Sequence, residues 1–283
     1  MTPRRLVYLG TPEMAVPPLL ALVDAGHEVV LVVTRTDKRR GRGGDLSPSP
    51  VKAVAAELGL RVSHDLADVS GARADLGVVV AYGRIIPRAL LEPPSGVPMV
   101  NLHFSLLPRW RGAAPVERAL LAGDRETGVC IMRVVEALDA GPVLASDVEP
   151  IGPRDTAAAL RARLVDRGSA LLVQTLAREL DAGSPQVGEP VYAAKITGAD
   201  LRLDWSQPAE HIDRVVRVGG AWTTFRGRRV RILDSALETT VGTALEVPVD
   251  GVRIVRVQPE GRGPMTIGEF ERGARPSPGE RFA

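Results

Sequence analysis

Hydrophobic and polar positions along the first two-thirds of the chain predict strands and helices in alternation. Short apolar runs, typical of strands buried on both faces of a sheet, are separated by stretches with helical spacing, most of which end at a glycine. The apolar runs are 6–9, 29–33, 76–81 and 99–102, and the helical stretches are 17–25, 50–58 and 156–180. This alternation favours an α/β fold with a Rossmann-like, mostly parallel sheet.

The last third of the chain has a different pattern. A segment rich in Gly, Pro and Gln begins at about residue 181 and predicts a surface linker. After it come a helical stretch at 208–218 and β-rich runs at 223–233 and 251–257, separated by Gly and Pro turns, which favour a small β-barrel. We therefore predict an α/β domain over 1–180, a linker over 181–200 and a shortened, OB-like β-barrel domain over 201–283.

Composition and charge exclude some classes of protein. The 283 residues suffice for two domains, and no apolar run approaches the ~20 residues that a membrane helix needs. The first residues lack the apolar core of a signal peptide, and the one cysteine, Cys130, lies in an apolar pattern typical of a buried side chain. The four histidines show no ligand spacing, so no metal site is expected. We expect a cytoplasmic protein without a membrane anchor.

Three polar residues on alternate positions follow an apolar run. Asn101, His103 and Ser105 would line one face of an extended strand, because side chains two positions apart point the same way. An amide and an imidazole at a strand end can hold a carbonyl group and move its protons. The alternative is a half-buried strand whose polar face meets solvent.

A turn at 137–142 presents a carboxylate, Asp139, after a strand-like run. Ligands of open α/β sheets bind at the carboxyl ends of strands, which would place Asp139 near 101–105 and Tyr82 in one crevice. Amide, imidazole and carboxylate together suit acyl transfer, although an isolated Asp in a turn more often caps the backbone. Only one glycine follows the first strand, at Gly10, which disfavours a dinucleotide site.

These motifs resemble the folate-dependent formyltransferases, and the longer stretch from Ser105 resembles the members that act on methionyl-tRNA. The resemblance extends over nearly the whole chain and weakens after Trp205. It is carried by Asn101, His103, Ser105-Leu-Leu-Pro-Arg-Trp-Arg-Gly-Ala-Ala-Pro115, Leu138-Asp139, Leu9-Gly-Thr-Pro12, Ser47-Pro-Ser-Pro-Val-Lys52, Val78-Val-Val-Ala-Tyr-Gly83 and Asp204-Trp205-Ser206. It implies a formyltransferase domain followed by a β-barrel domain.

The resemblance also implies a reaction and its residues. The formyl group of 10-formyltetrahydrofolate, a co-substrate, would pass to the α-amino group of methionyl initiator tRNA without a metal. Asn101 and protonated His103 would stabilise the oxyanion, and Asp139 would set the protonation state of His103 and help a water accept the amine proton. The expected folate pocket consists of Tyr82, Gly83, Ile86, Pro87, Ser105, Leu106, Leu107, Pro108, Leu138 and Gly141. The alternative for 85–87 is a packed strand-to-helix connection.

Two basic segments are candidates for tRNA binding. Arg39, Arg40 and Arg42 crowd a glycine-rich loop that in this family meets the acceptor stem, although Gly44-Asp45 stands where the family more often has lysines. The alternative is a solvated charge run. Arg229 and Arg231 would share one strand face and reach a phosphate backbone, unless they pair with Asp234 and Glu238.

Other functions remain open at the level of the sequence. They are a formyltransferase acting on an amino sugar or on glycinamide ribonucleotide, a hydrolase that passes the formyl group to water, and a non-catalytic folate- or RNA-binding protein. The stretch 109–115 and the basic loop favour a tRNA substrate, and three retained catalytic candidates argue against a pure binding module. We expect a monomer.

Overall fold

The structure, a computed structural model, describes residues 3–40, 45–91, 96–237 and 249–283. The chain forms two compact units. The first comprises Met1–Pro115, Glu126–Pro150 and Arg161–Ala194, and the second comprises Val116–Arg125, Ile151–Leu160 and Lys195–Ala283. Across the described ranges, no helix is long and apolar enough to cross a membrane.

The helices and strands follow in chain order. The strands are β1 (Arg5–Gly10), β2 (Glu28–Val33), β3 (Lys38–Arg40), β4 (Asp45–Ser47), β5 (Val62–Ser63), β6 (Leu76–Val80), β7 (Met99–His103), β8 (Arg111–Gly112), β9 (Glu126–Arg133), β10 (Val143–Pro150), β11 (Tyr192–Ala193), β12 (Trp222–Phe225), β13 (Arg228–Leu237), β14 (Val252–Pro259) and β15 (Met265–Thr266). The helices are α1 (Val16–Asp24), α2 (Pro50–Glu57), α3 (Pro115–Ala122), α4 (Ala157–Leu176), α5 (Ala209–Val218) and α6 (Ile267–Ala274).

A seven-stranded sheet, in the order β10-β9-β7-β6-β1-β2-β5, forms the centre of the first unit. The pairs from β7 to β5 are parallel, and β9 and β10 are added antiparallel. All of β6 is buried, as expected for a strand covered on both faces. The prediction of a Rossmann-like, mostly parallel sheet is confirmed. Its parallel strands end at one edge, and β7 delivers the candidate catalytic residues to that edge.

A four-stranded antiparallel sheet, in the order β12-β13-β14-β15, organises the second unit. Its core joins apolar strand positions to α5, α6 and an aromatic group in which Phe225, Phe270 and Phe282 have ring centroids 5.4–6.2 Å apart. This arrangement fits the predicted small barrel-like domain. The β-rich stretch predicted over 223–233 contains a hairpin, because Arg226 and Gly227 adopt positive φ and turn the chain between β12 and β13.

Two segments from the middle of the chain complete the second unit. Arg118 of α3 pairs with Asp200 at 2.8 Å, and Arg154 pairs with the buried Asp213 of α5 at 3.3 Å. Arg217 also pairs with Asp213, at 2.7 Å. These contacts join 116–125 and 151–160 to the chain after residue 195. The division at 180 and 200 remains a sequence-based prediction.

Candidate active site

Strand β7 places Asn101 and His103 on one face of the sheet, two positions apart. Asn101 lies opposite Met132 of β9 and is half-buried, and His103 lies opposite Cys130 and is 6% exposed. The strand ends at His103, so Ser105 lies beyond it. Ser105 is fully buried, and its hydroxyl donates to the carbonyl of Arg109 at 2.6 Å. The expected alternation therefore carries two side chains, while Ser105 stabilises the following loop.

The ring of His103 is oriented by the backbone of that loop. Its Nε2 lies 2.8 Å from the carbonyl oxygen of Trp110, a residue with φ of 64°. Because a carbonyl oxygen only accepts hydrogen bonds, Nε2 carries a hydrogen, and Nδ1 is the nitrogen that faces Asp139.

Asp139 completes a group of three polar side chains. Its Oδ2 accepts a 2.8 Å hydrogen bond from the backbone N–H of Gly112 and lies 3.7 Å from Nδ1 of His103. Its Oδ1 lies 3.4 Å from Nδ2 of Asn101. The structure thus brings the three catalytic candidates together, with one carboxylate oxygen fixed by a strong backbone contact. The Asp139 carboxylate faces Nδ1 of His103 at 3.7 Å, a distance that suits charge attraction to a protonated ring rather than a direct hydrogen bond.

Gly112 has to be glycine for this contact to form. Its φ is 117°, in the left-handed region that favours glycine, and an added Cβ would lie 2.9 Å from the carbonyl oxygen of Ala193. The close backbone approach pairs β8 with β11 in parallel and turns the N–H of Gly112 towards Asp139. The Arg-Gly-Ala-Ala-Pro motif therefore has a geometric reason at its glycine.

The expected folate-binding residues differ in their burial. Tyr82, Ile86, Ser105 and Gly141 are buried, and burial raises the pKa of the Tyr82 phenol. Leu106, Leu107 and Pro108 are half-buried, and Gly83, Pro87 and Leu138 are exposed. The side chain of Ile85, which is 81% exposed, and that of Leu138, 57% exposed, leave apolar surface open on two of these loops.

Cys130 lies beside His103 in the sheet but is not a nucleophile. It is 2% exposed and free, and burial raises the pKa of its thiol to about 11. The thiol therefore stays protonated near neutral pH and packs as a small apolar group. The prediction that Cys130 is a buried side chain is confirmed.

Sequence reasoning missed several groups that hold this site. They are the N–H of Gly112, the carbonyl of Trp110, and the side chain of Gln186, which donates to the carbonyls of Asp139 and Gly141. Gln186 falls in the segment predicted as a linker. Only the glycine within the 109–115 motif gave a sequence signal for any of them.

The candidate tRNA-binding arginines of the second unit lie on β13. Arg229 and Arg231 are exposed, and the guanidinium carbon of Arg229 lies 4.3 Å from the ring centroid of Trp222. Arg231 donates to Oε1 of Gln258 at 3.3 Å. Asp234, one of the two acids considered as partners for these arginines, pairs instead with Arg154. Within the described ranges, no ion pair of Arg229 or Arg231 is found, and Glu238 falls outside those ranges.

The basic loop of the first unit is described in part. Arg39 and Arg40 lie in β3, which pairs antiparallel with β4. Arg42 falls outside the described residues, so its proposed role remains a sequence-based prediction.

Two models of known protein families match this chain, one over its first two-thirds and one over its last third. The family described as "Formyl transferase" matches residues 4–176, and "Formyl transferase, C-terminal domain" matches residues 195–275. A methionyl-tRNA formyltransferase of Roseobacter denitrificans is 43% identical, with 98% of each chain covered. Another, of Dinoroseobacter shibae, is 45% identical and covers 95% of this chain and 97% of its own.

Solved structures show the same fold. The crystal structure of HypX from Aquifex aeolicus in complex with tetrahydrofolic acid has a TM-score of 0.65 and 17% sequence identity. The likeness covers 99% of this chain and 48% of that one. At this identity it supports the fold of both parts of the chain and nothing further.

Proposed function

The chain belongs to the formyl transferase family, and from this premise we infer that it formylates methionyl initiator tRNA. The formyl group comes from 10-formyltetrahydrofolate, and the product is N-formylmethionyl-tRNA for translation initiation. The observation that carries this proposal is the convergence of Asn101, His103 and Asp139 at the end of β7, in a chain that matches methionyl-tRNA formyltransferases over nearly its full length.

The reaction exchanges one bond at the formyl carbon. The α-amino nitrogen of the methionyl group bonds to that carbon, and the bond from the carbon to the folate nitrogen breaks. The amine loses one proton and the folate nitrogen gains one. Negative charge develops on the formyl oxygen between these events, so hydrogen-bond donors aimed at that oxygen accelerate the reaction.

Asn101 and His103 supply these donors in our proposal. The N–H groups of Asn101 are held near Asp139 by a long 3.4 Å contact, which an approaching oxyanion can replace. Nε2 of His103 is committed to Trp110, so Nδ1 is the ring nitrogen that donates when protonated. Asp139, fixed by Gly112, balances the positive charge on that ring and helps a water accept the amine proton.

The loops around 82–87, 105–108 and 138–141 suit a folate ligand. Exposed apolar side chains at Ile85 and Leu138 can cover the flat faces of a pterin, and backbone groups can pair with its edge. We therefore keep Tyr82, Gly83, Ile86, Pro87, Ser105, Leu106, Leu107, Pro108, Leu138 and Gly141 as the proposed folate-binding residues. The buried Ser105 acts in this proposal by shaping its loop.

Two basic surfaces are proposed to bind tRNA. Arg229 and Arg231 present exposed positive charge from β13, and Arg39, Arg40 and Arg42 belong to the basic loop. Arginine suits RNA because its planar guanidinium contacts phosphates and stacks on rings. We propose that residues 1–180 form the catalytic domain and residues 201–283 an auxiliary tRNA clamp. We further propose that the protein acts as a monomer in the cytoplasm, where charged tRNA is used.

One assay tests the proposed function. Purified protein is incubated with 10-formyltetrahydrofolate and charged initiator tRNA, and formylmethionine released from the tRNA is measured. Parallel reactions replace the tRNA with charged elongator methionine tRNA, with an amino sugar nucleotide or with water alone. Formylation confined to the tRNA reactions supports the proposal, whereas turnover only with a sugar or water contradicts it.

A further inference from the structure

The side chain of Gln186 joins two parts of the active-site wall. Its Nε2 donates to the backbone carbonyls of Asp139 and Gly141, both at 2.9 Å. Its Oε1 accepts from Arg111, at 3.0 Å from Nε and 2.6 Å from Nη2. Both N–H donors and both acceptor positions of the amide are therefore used.

The orientation of this amide follows from its partners. A guanidinium group only donates hydrogen bonds, so the amide oxygen has to face Arg111. Backbone carbonyls only accept, so the amide nitrogen has to face Asp139 and Gly141. Exchange of oxygen and nitrogen would break all four contacts, which makes glutamine, and not a carboxylate of equal length, the matching side chain.

The turn that carries Asp139 depends on hydrogen bonds because it has little apolar packing. Ala137 and Leu138 are exposed, and Asp139 adopts a φ of 47°, which is rare for a residue with a side chain. At Gly141 an added Cβ would lie 1.8 Å from the carbonyl oxygen of Arg133, so the far side of the turn is pressed against the end of β9. Gln186 holds both sides of this turn.

We propose that Gln186 is a positioning residue for formyl transfer. This role rests on the proposed function of the protein. By anchoring the carbonyls of Asp139 and Gly141 to Arg111, Gln186 holds the turn at the geometry in which the Asp139 carboxylate meets Gly112 and faces Nδ1 of His103. Gln186 itself does not touch the reacting atoms. Its contribution acts through the position of one carboxylate.

The main test replaces Gln186 by Met, which keeps the length of the side chain and removes its hydrogen bonds. We expect kcat with charged initiator tRNA to fall about tenfold, the rate equivalent of ~1.4 kcal/mol, with the KM for each substrate nearly unchanged. Gln174→Met, the same substitution at an exposed position of α4 in the same unit, is the matched control and should leave kcat unchanged. Parental kcat in Gln186→Met would overturn the proposal.

A double-mutant cycle separates positioning from general stabilisation. In an Asp139→Asn background the residue to be positioned has lost its charge, so Gln186→Met should lower the single-turnover rate by less than about twofold. A merely structural role would give the same loss in both backgrounds, and that result contradicts the proposal. Gln186→Glu offers a further check. It keeps an acceptor for Arg111 and loses both N–H donors, so we expect it to be as slow as Gln186→Met.

Different measurements test the positioning role of Gln186 and the formylation of initiator tRNA. A parent protein that does not formylate charged initiator tRNA contradicts the proposed function. In that case the ring ¹⁵N signals of His103, assigned among the four histidines, decide about Gln186. Displacement of the Asp139 carboxylate should shift the Nδ1 signal in Gln186→Met and not in Gln174→Met. An unchanged Nδ1 signal overturns the positioning role.

Discussion

Polar groups are held in opposite ways in the two units. In the first, His103 is 6% exposed, and its Nε2 donates a hydrogen bond to the backbone carbonyl of Trp110. The Asp139 carboxylate accepts a hydrogen bond from the backbone N–H of Gly112. In the second, Arg229 and Arg231 are exposed and contact a ring face and a side-chain amide. The candidate catalytic groups have rigid partners, whereas the basic groups have adjustable ones.

This difference matches the tasks that we propose for the two groups, which are oxyanion stabilisation by the first and binding of tRNA phosphates by the second. Stabilising charge at one reacting oxygen requires donors held to within a fraction of an ångström, in a place from which bulk water is excluded. Attraction between arginines and phosphates acts over several ångströms and tolerates side-chain motion. Substitutions in the first group should therefore change kcat, and substitutions in the second should change tRNA affinity.

The largest effect should come from His103→Ala, which removes one of the two donors that we propose for the developing oxyanion. We expect kcat to fall by about 10²–10³, with tRNA binding unchanged. The measurement is single-turnover formylation together with a tRNA binding titration. His64→Ala is the control, because this half-buried ring also contacts a backbone carbonyl, that of Thr34 at 3.1 Å. Weakened tRNA binding in His103→Ala, with normal kcat, would reverse the comparison.

The double substitution Arg229→Ala with Arg231→Ala should raise the Kd for initiator tRNA roughly tenfold and leave kcat at saturation unchanged. If both arginines contact phosphates, the slope of log affinity against log salt should decrease by up to about 2. Arg226→Gln is the control, because Arg226 is neutralised by Glu280 at 2.5 Å. It should lower thermal stability without changing tRNA affinity. Unaltered affinity in the double variant would restrict tRNA binding to other surfaces.

Trp222→Leu tests how Arg229 is held. Loss of the cation–π contact, worth ~0.5–1 kcal/mol at an exposed site, should weaken tRNA binding roughly two- to fivefold. In an Arg229→Ala background the same change should have no further effect, because the stacked partner is absent. Binding titrations of the single and double variants measure this coupling. Additive losses would show that Trp222 acts independently of Arg229.

The smallest effect concerns the ion pair between Arg118 and Asp200. Hydrogen bonds from Thr197, and then from Arg118, lower the pKa of Asp200 to about 2, below its ordinary unfolded-state value. A lowered folded-state pKa stabilises the protein above pH ~4, and this stabilisation is lost as the pH falls towards 2. Asp200→Asn should therefore lower the thermal midpoint by about 1–3 °C at pH 7.

The difference between parent and Asp200→Asn should narrow as the pH falls, and thermal melts between pH 7 and 3 measure it. A difference that grows on acidification would contradict this assignment. Because this pair supports the second unit, kcat at saturating tRNA should stay unchanged at neutral pH.

The sequence predicted much of the fold because its patterns are local. Apolar runs such as that of β6 identify buried strands, and alternation of strand and helix identifies a mostly parallel sheet. The spacing of Asn101 and His103 placed both on one strand face. The expectation that ligands bind at the carboxyl ends of strands, together with the family resemblance, linked them to Asp139. The prediction that Ser105 shares the strand face of Asn101 and His103 was wrong, because β7 ends at His103. The β-rich character of 223–233 did not reveal that Arg226 and Gly227 turn the chain between two strands.

Tertiary structure alone decided which atoms face one another. Asp139 meets Asn101 across 38 residues of chain, and Gln186 meets Asp139 across 47. The tautomer of His103 depends on the carbonyl of Trp110, and no residue type reveals where a carbonyl points. Side-chain periodicity fixes which face a residue occupies, because it follows from backbone geometry within one element. The partner across the site depends on how separate elements pack, and that is a property of the whole chain.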